Sequence, residues 1–403
     1  MGLIAVGLVA LYSYTTGPAN EYLLDSVKQN FNRQMLWGII CLFGIGFTLL
    51  LPVRFFQSMA YPLYFVMLGL LVMALIFGHE VNGARSWLRI GPAQFQVSEL
   101  AKVTTLMAIA QFHATRRPGE NPTRSRLYAI LIILAPVLLI LLQNDTGTAL
   151  IYLGIIPFVL YWMGMSTLYA LIMIVPALTA YLTLVYWPAA LGATVLTLLI
   201  VFWMKGSRTA LGMALVTNLG VIALIRFAID AILKPHHVAR LLSFTNPEAI
   251  EYRYTIGFHL VQSKAAIGSG EFWGKGFQQG TQTQGAYVPE QTTDFVFSII
   301  GEEFGFMGAI IVLLLFGYLL IRLLILASNI KHPFGSTMAA GAVAIFLIHI
   351  ILNIGMVTGM LPVIGVPLPF ISYGGSALLA ASALIAIALN LYMRREDFSI
   401  YGF

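Results

Sequence analysis

Twelve apolar runs divide this chain, centred near residues 2–15, 35–53, 60–78, 98–113, 127–142, 147–164, 167–186, 188–204, 209–233, 294–321, 336–358 and 373–393. A helix needs about 20 apolar residues to cross a bilayer's hydrocarbon core, and most of these runs have that length. The first and fourth are short, and only Trp187 and Pro188 separate the two runs within 167–204, so the expected number of transmembrane helices is ten to twelve. Backbone polar groups in lipid must be satisfied within their own segment, which makes the expected fold all-α: a polytopic helical membrane protein. Composition agrees. Charged residues are 9% of the 403, against about 25% in soluble domains, and the mean hydropathy is +0.87. A single integral membrane domain over 1–403 is expected.

The net charge of +6 does not point to nucleic acid, because the basic residues sit in short loops between apolar runs. With the N-terminus inside, the short cytoplasmic loops hold eleven of them: Arg54, Arg116, Arg117, Arg124, Arg126, Lys205, Arg208, Arg322, Lys331, Arg394 and Arg395. Short external loops hold four, Lys28, Arg33, Arg85 and Arg89. That bias predicts cytoplasmic termini and an external 234–294 loop. The first run lacks a basic leader and a small-residue cleavage site, so it reads as a first membrane helix with a few native residues expected before it, not as a signal peptide. Cys41, the one cysteine, excludes a disulfide framework. The seven histidines show no zinc-binding spacing, and no phosphate-binding glycine fingerprint appears.

Residues 234–303 break the apolar pattern. Together with Asp230 just before it, this stretch holds eight of the sixteen acidic residues, among them Glu248, Glu251, Glu271, Glu290, Asp294, Glu302 and Glu303. Its glycines, glutamines and tyrosines are not the mixture of a disordered linker, so it reads as a folded element containing re-entrant or short helical pieces. Glycines in 267–285 permit backbone conformations that can present amides to an anion, or simply a tight turn. The segment GMLPVIGVPLPFISYGGSALL (359–379), with three prolines and four glycines, cannot be one regular helix and suits a broken segment lining a cavity. Asp294 and Glu302, eight residues apart, can share one face of the next helix.

Other candidates carry two readings each. Glu99 and Lys102, spaced i, i+3, form either a structural ion pair or a functional one within the membrane. Ser98 can cap the helix that Glu99 starts, and Asp145 can cap the one after it. Arg226 and Asp230 read as a pair. Arg85 and Arg89 flank Trp87 in an anchoring or an anion-binding role. His349, mid-helix, reads as a satisfied polar residue. External carboxylates, basic residues (Arg85, Lys102, Arg208, Arg240, Lys264, Lys275) and an intramembrane cavity suit a lipid-tailed substrate with a phosphate-bearing head. Glycosyl transfer from a lipid diphosphate needs a carboxylate to take the acceptor's proton and cations to stabilise the leaving diphosphate. A transporter of the same lipid could use the same residues.

The strings GARSWLRIG…FQVSELAK, QNDTGTAL, QSKAAIGSGEFWGKGFQQGTQTQ, VPEQTTDFVFSIIGEEFGFMG and NIGMVTGMLPVIGVPLPFISYGGSALL, in this order over nearly the whole chain, resemble the SEDS family (shape, elongation, division and sporulation). Within it they resemble the RodA-like branch more than the FtsW-like one. The resemblance implies a peptidoglycan glycosyltransferase that polymerises lipid II outside the cytoplasmic membrane during elongation and rod-shape maintenance. It also implies a class B penicillin-binding protein as crosslinking partner, other elongation-complex proteins, and a divalent cation, Mg or Mn.

Two departures accompany the resemblance. The family has about ten membrane helices, and 167–233 supplies two more here. The family's catalytic aspartate precedes the QS motif in a DPxGxGY-like pattern, yet this chain reads PEAIEYRYTIGFHLVQS, with Tyr252 at that position and Glu251 beside it. Glu251 is the expected general base, with Asp294 and Glu302 as further catalytic candidates. Glu99 and Lys102 match the SELAK pair that lines the family's central cavity. Asp145 matches the aspartate of a QPD-like motif in which Asn144 replaces the proline. Arg85, Lys275 and Glu303 match polar family positions, and Lys102, Arg85 and Lys275 are expected to serve the diphosphate. Lys264 and Ser372 complete the substrate-binding candidates. A flippase for the lipid-linked precursor and a non-catalytic scaffold for the transpeptidase are the alternatives.

Overall fold

The computed structural model describes residues 1–81, 83–91, 93–116, 121–227, 229, 244 and 257–396. The apolar runs become helices. They are α1 (Gly2–Thr16), a short α2 (Asp25–Lys28), α3 (Asn30–Leu50), α4 (Val53–Phe77), α5 (Val97–Ala114), α6 (Pro122–Leu142), α7 (Thr146–Trp162), α8 (Thr167–Trp203) and α9 (Arg208–Phe227). The polar stretch supplies α10 (Phe258–Ser269), α11 (Thr281–Gln284) and α12 (Val296–Glu303). Three spans follow: α13 (Gly305–Asn329), α14 (Pro333–Val357) and α15 (Gly375–Met393). Among the described residues eight helices are long and apolar enough to cross a membrane, and α1 and α7 are shorter apolar helices. The protein is an integral membrane protein of helical fold.

α8 is two antiparallel arms. A straight helix of 37 residues would be about 55 Å long. Instead a Cβ on Gly206 would sit 3.0 Å from Leu168 Cδ1 and 2.7 Å from Val201 Cγ1, so the two ends of α8 meet. The reversal falls at Tyr186 (φ −157°, ψ 91°), just before Pro188, whose missing N–H and ring disfavour helix. Counted with these arms and α5, twelve helical segments correspond to the twelve runs. α8 and α9 share a small core of their own around Ile172, Val201, Ala210 and Ala214, apart from the main core. A buried hydrogen bond from Thr179 to Asn218 pins their register. Arg226, expected to pair with Asp230, lies over the Trp187 ring; Asp230 is outside the described residues.

The main core is organised on α5 and α14. α5 is buried from Val97 to Ala110 except at Leu100, and α14 buries residues on every face, as befits helices surrounded by others. They pack on each other and on α7 and α15, with α3, α4, α6 and α13 outside them.

The sequence reading missed a sheet. β1 (His79–Val81), β2 (Ala84–Ile90) and β3 (Ala93–Gln96) form an antiparallel meander between α4 and α5, with Trp87 opposite Gln96 and Arg89 opposite Gln94. Asn82-Gly83 is a strong hairpin signal, and Gly83 (φ +86°) and Gly91 (φ +61°) take the left-handed conformations such turns demand. The run read as 294–321 is also not one helix. It breaks at Phe304–Gly305, leaving α12 as a short buried helix and moving the span to α13.

Candidate active site

The broken segment 359–379 enters the bundle instead of crossing it. Ser13 of α1 contacts Glu303 at the polar end, whereas Gly7 lies against Ile371. Six residues of helix separate those contacts, so the segment reaches roughly 9 Å further in. Only glycine fits there, because a Cβ on Gly7 would fall 2.6 Å from the Ile371 carbonyl oxygen.

An irregular backbone this deep needs partners for its polar groups, since a buried unpaired amide costs about 2–7 kcal/mol. Two helices supply them. From α14, the Asn353 amide donates to the carbonyls of Val366 (2.6 Å) and Asp294 (2.8 Å), and His349 Nδ1 contacts the Pro367 carbonyl at 3.1 Å. From α3, Gln34 donates to the Ser372 carbonyl and accepts from the Gly374 N–H, both at 3.1 Å. The Tyr373 N–H donates to the Thr292 carbonyl at 2.7 Å. The Ser372 hydroxyl accepts from the Leu368 N–H at 2.8 Å. Ser372, expected to bind substrate, is buried and holds the segment's own turn.

Beside this segment is a half-open pocket whose empty space, counted together with the solvent at its mouth, is about 320 Å³. Its polar wall is Glu99, Lys102 and His349; Phe346, Pro367, Pro369 and Leu384 are among its apolar lining. Lys102 is 2% exposed, and its Nζ lies 2.8 Å from both Glu99 Oε1 and His349 Nε2. The pair expected from spacing forms, and a histidine read as a bland core residue completes it. Asp294 meets the segment at Gly365: a Cβ on Gly365 (φ +75°) would lie 3.2 Å from its Oδ2, so the turn there leaves room for the carboxylate. Burial pushes the half-buried Asp294 up to about 7, the Glu290 charge adds to this, and the Thr293 hydroxyl opposes it.

Glu302 and Glu303 are placed differently. Asp294 precedes α12, whose N-cap is Phe295, so helical periodicity does not run through it and the shared face with Glu302 does not form. The Glu302 carboxylate is fully buried and accepts from Lys275 Nζ (2.8 Å), the N–H groups of Gln282 (3.0 Å) and Thr283 (2.8 Å), and the Ser269 and Thr281 hydroxyls. Burial alone would raise its pKa; the Gln282 amide, the Lys275 ammonium and the Thr283 amide outweigh burial and pull it to about 2. Glu303 accepts from Ser13 Oγ (2.6 Å) and Gln284 Nε2 (2.8 Å), tying the polar segment to α1. Burial raises Glu303, against those two donors.

Asp145 caps α7, accepting from the Thr148 N–H (3.0 Å) and hydroxyl (2.9 Å), and also from Gln96 Nε2 (2.9 Å) and Ser98 Oγ (3.4 Å). Ser98 thus serves Asp145, and the N-cap of α5 is Gln96. Arg85 is exposed in the sheet, 3.5 Å from Glu80, with its backbone N–H on the Gln143 carbonyl. Lys264 is exposed on α10 with its stem against Gly359. Glu251, Tyr252 and Arg240 lie outside the described residues. Gln34, Asn353 and His349 were missed or undervalued as parts of the site. The available signal was polar residues spaced i, i+4 on otherwise apolar helices.

The chain matches the cell cycle protein family (FtsW, RodA, SpoVE) over residues 1–192 and 189–397. It belongs to that family. It is 28% identical to the peptidoglycan glycosyltransferase RodA of Treponema pallidum, over 98% of this chain and 96% of that one. It is 32% identical to the peptidoglycan glycosyltransferase MrdB of Escherichia coli K12, over 87% of this chain and 82% of that one. Among solved structures it resembles a chain of a peptidoglycan synthase complex described as coordinating polymerisation and crosslinking, with a TM-score of 0.72 at 28% identity over 98% and 95% of the two chains. The rod-shape-determining protein RodA of Thermus thermophilus gives a TM-score of 0.62 at 26% identity over 98% and 94%.

Proposed function

We propose that this family member is a peptidoglycan glycosyltransferase that polymerises lipid II into glycan strands. The observation that carries the reading is the buried Lys102 ammonium at the wall of an otherwise largely apolar cavity. A lipid-linked diphosphate needs both an apolar wall for its chain and a cation for its head. As the acceptor sugar's hydroxyl attacks the donor's anomeric carbon, the bond to the diphosphate oxygen breaks and negative charge gathers on the leaving group. A preorganised cation in a water-poor site stabilises that charge far better than water does. A carboxylate takes the hydroxyl proton. Glu251 is our assignment for this base, and Asp294, held near neutrality in its ionisation, is the alternative.

The eleven-to-four lysine and arginine bias supports an inner-membrane protein with cytoplasmic termini and a site facing outward. A class B penicillin-binding protein is the proposed crosslinking partner, acting with other elongation-complex proteins. The Mg or Mn ion implied by the family is part of the proposal only as a diphosphate counter-ion. Among the described residues no three His, Cys, Asp or Glu side chains gather to hold one, and no step here runs through it.

The test is purified protein with lipid II and the cognate transpeptidase. Long glycan products support the reading; lipid scrambling without polymer would establish a flippase, and neither would establish a scaffold. Glu251→Gln is expected to abolish polymerisation. Retention of activity in that variant, with loss in Asp294→Asn, would move the base to Asp294.

A further inference from the structure

His349 sits between two partners whose chemistry leaves it one arrangement. Its Nε2 is 2.8 Å from Lys102 Nζ, and an ammonium group can only donate. Its Nδ1 is 3.1 Å from the Pro367 carbonyl, which can only accept. A single tautomer satisfies both: neutral imidazole with the proton on Nδ1. A charged ring would aim an N–H at the ammonium. The same ammonium is closed by Glu99 at 2.8 Å, so two of its three protons are fixed and the third is left for the cavity that all three residues line.

We infer that His349 is a positioning residue that aims the Lys102 ammonium into the cavity and ties that aim to the broken segment at Pro367. Glu99 alone cannot do this. It lies one turn from Lys102 on the same helix, and a flexible four-carbon stem pairing within its own helix can swing as a unit. His349 comes from α14 and is itself held by the segment. Asn353, one turn along α14, holds the neighbouring carbonyl Val366 and the carbonyl of Asp294. The cation on α5 and the acid before α12 are therefore indexed to adjacent residues of one segment. The catalytic consequence rests on the glycosyltransferase reading; the tautomer does not.

The test has two arms on the purified full chain. In ¹⁵N-histidine NMR, the signal lost in His349→Gln is expected to show a protonated Nδ1 and a bare Nε2. An Nε2-protonated or doubly protonated ring would overturn the proposal whether or not the protein polymerises lipid II. In the glycan assay, His349→Leu removes both bonds while filling the space; melting is expected to fall as the Pro367 carbonyl loses its donor, and kcat of the folded fraction is expected to fall about tenfold. His349→Gln keeps an acceptor for Lys102 and a donor for Pro367, and is expected to stay within about threefold of wild type. A wild-type rate in the leucine variant, or an equal loss in the glutamine variant, would overturn it. Absence of polymerisation by the unmutated protein, with the NMR result as expected, would strike the function and leave the tautomer and the tie to Pro367 standing.

Discussion

Lys102–Glu99 and Lys275–Glu302 are both ion pairs closed to 2.8 Å on a buried carboxylate. What separates them is what else the carboxylate accepts. Glu302 takes five donors from the 269–283 loop, more than the roughly four lone-pair sites of a carboxylate hold singly, and it lines no part of the cavity. Glu99 and Lys102 line the cavity, with the ammonium held on two sides. A saturated pair is a latch that fixes the fold of a loop. A pair with capacity left over can meet a ligand. Distance and the burial of the carboxylate alone do not tell these apart, since both pairs close to 2.8 Å on a buried carboxylate.

The largest effect should come from breaking the latch. Glu302→Ala leaves two amide groups and the Lys275 ammonium without their acceptor; breaking a buried pair costs about 3–5 kcal/mol, and with Lys275 26% exposed the lower end applies. Thermal melting in detergent should drop accordingly, while the fraction that remains folded keeps its specific activity. A folded, inactive variant would return Glu302 to the catalytic group. The pH dependence has a sign: with its folded pKa lowered to about 2 from an ordinary 4.5, the latch is complete at neutral pH. Its stabilisation is lost as acid takes the group from about 4.5 down through 2.

Next comes the cavity pair. Glu99→Gln with Lys102→Met removes both charges together, and neutral replacement of a whole buried pair is often harmless to stability. Melting should stay close to wild type. Loss of a preorganised charge from a transition state typically costs about 10²–10³ in rate, so polymerisation should fall by that order. The opposite pattern, lost stability with retained turnover, would make the two pairs equivalent and break the contrast between them.

Much of this was legible in the sequence. The apolar runs mark the spans because lipid allows the backbone few other solutions, and Pro and Gly in 359–379 mark the break for the same reason. The i, i+3 spacing gives Glu99–Lys102. The sequence does not show which carboxylates are saturated, because the donors to Glu302 come from Ser269, Lys275 and residues 281–283, and whether they turn inward depends on tertiary packing. His349 is invisible for a similar reason. Its partners, Lys102 and Pro367, are 247 and 18 residues away, so no local pattern announces them. The fold-back of α8 is a smaller case: Tyr186-Trp187-Pro188 signals a break, and only the contact between its two ends shows a reversal.

Asp294 is the acid that lies between the latch and the cavity pair, and it gives the smallest and most graded effect. It has neither the donor set of Glu302 nor the cation of Glu99, so burial and the Glu290 charge hold it near 7. If its charged form is needed for turnover, its ionised fraction rises from roughly a tenth at about pH 6 to nine-tenths at about pH 8, and kcat/KM should rise by about tenfold across that range. Asp294→Asn should remove this limb, and Glu290→Gln, by deleting the like charge, should move its midpoint to lower pH. For stability the sign is opposite to that of Glu302. The folded protein keeps the Asp294 proton up to about 7 while the unfolded chain releases it near 3.8, so folding binds more protons between those values and stability falls as pH rises through them. A pH–rate profile unchanged by both substitutions would place Asp294 with the latch as a structural acid, and would leave Glu251 as the carboxylate that takes the acceptor's proton.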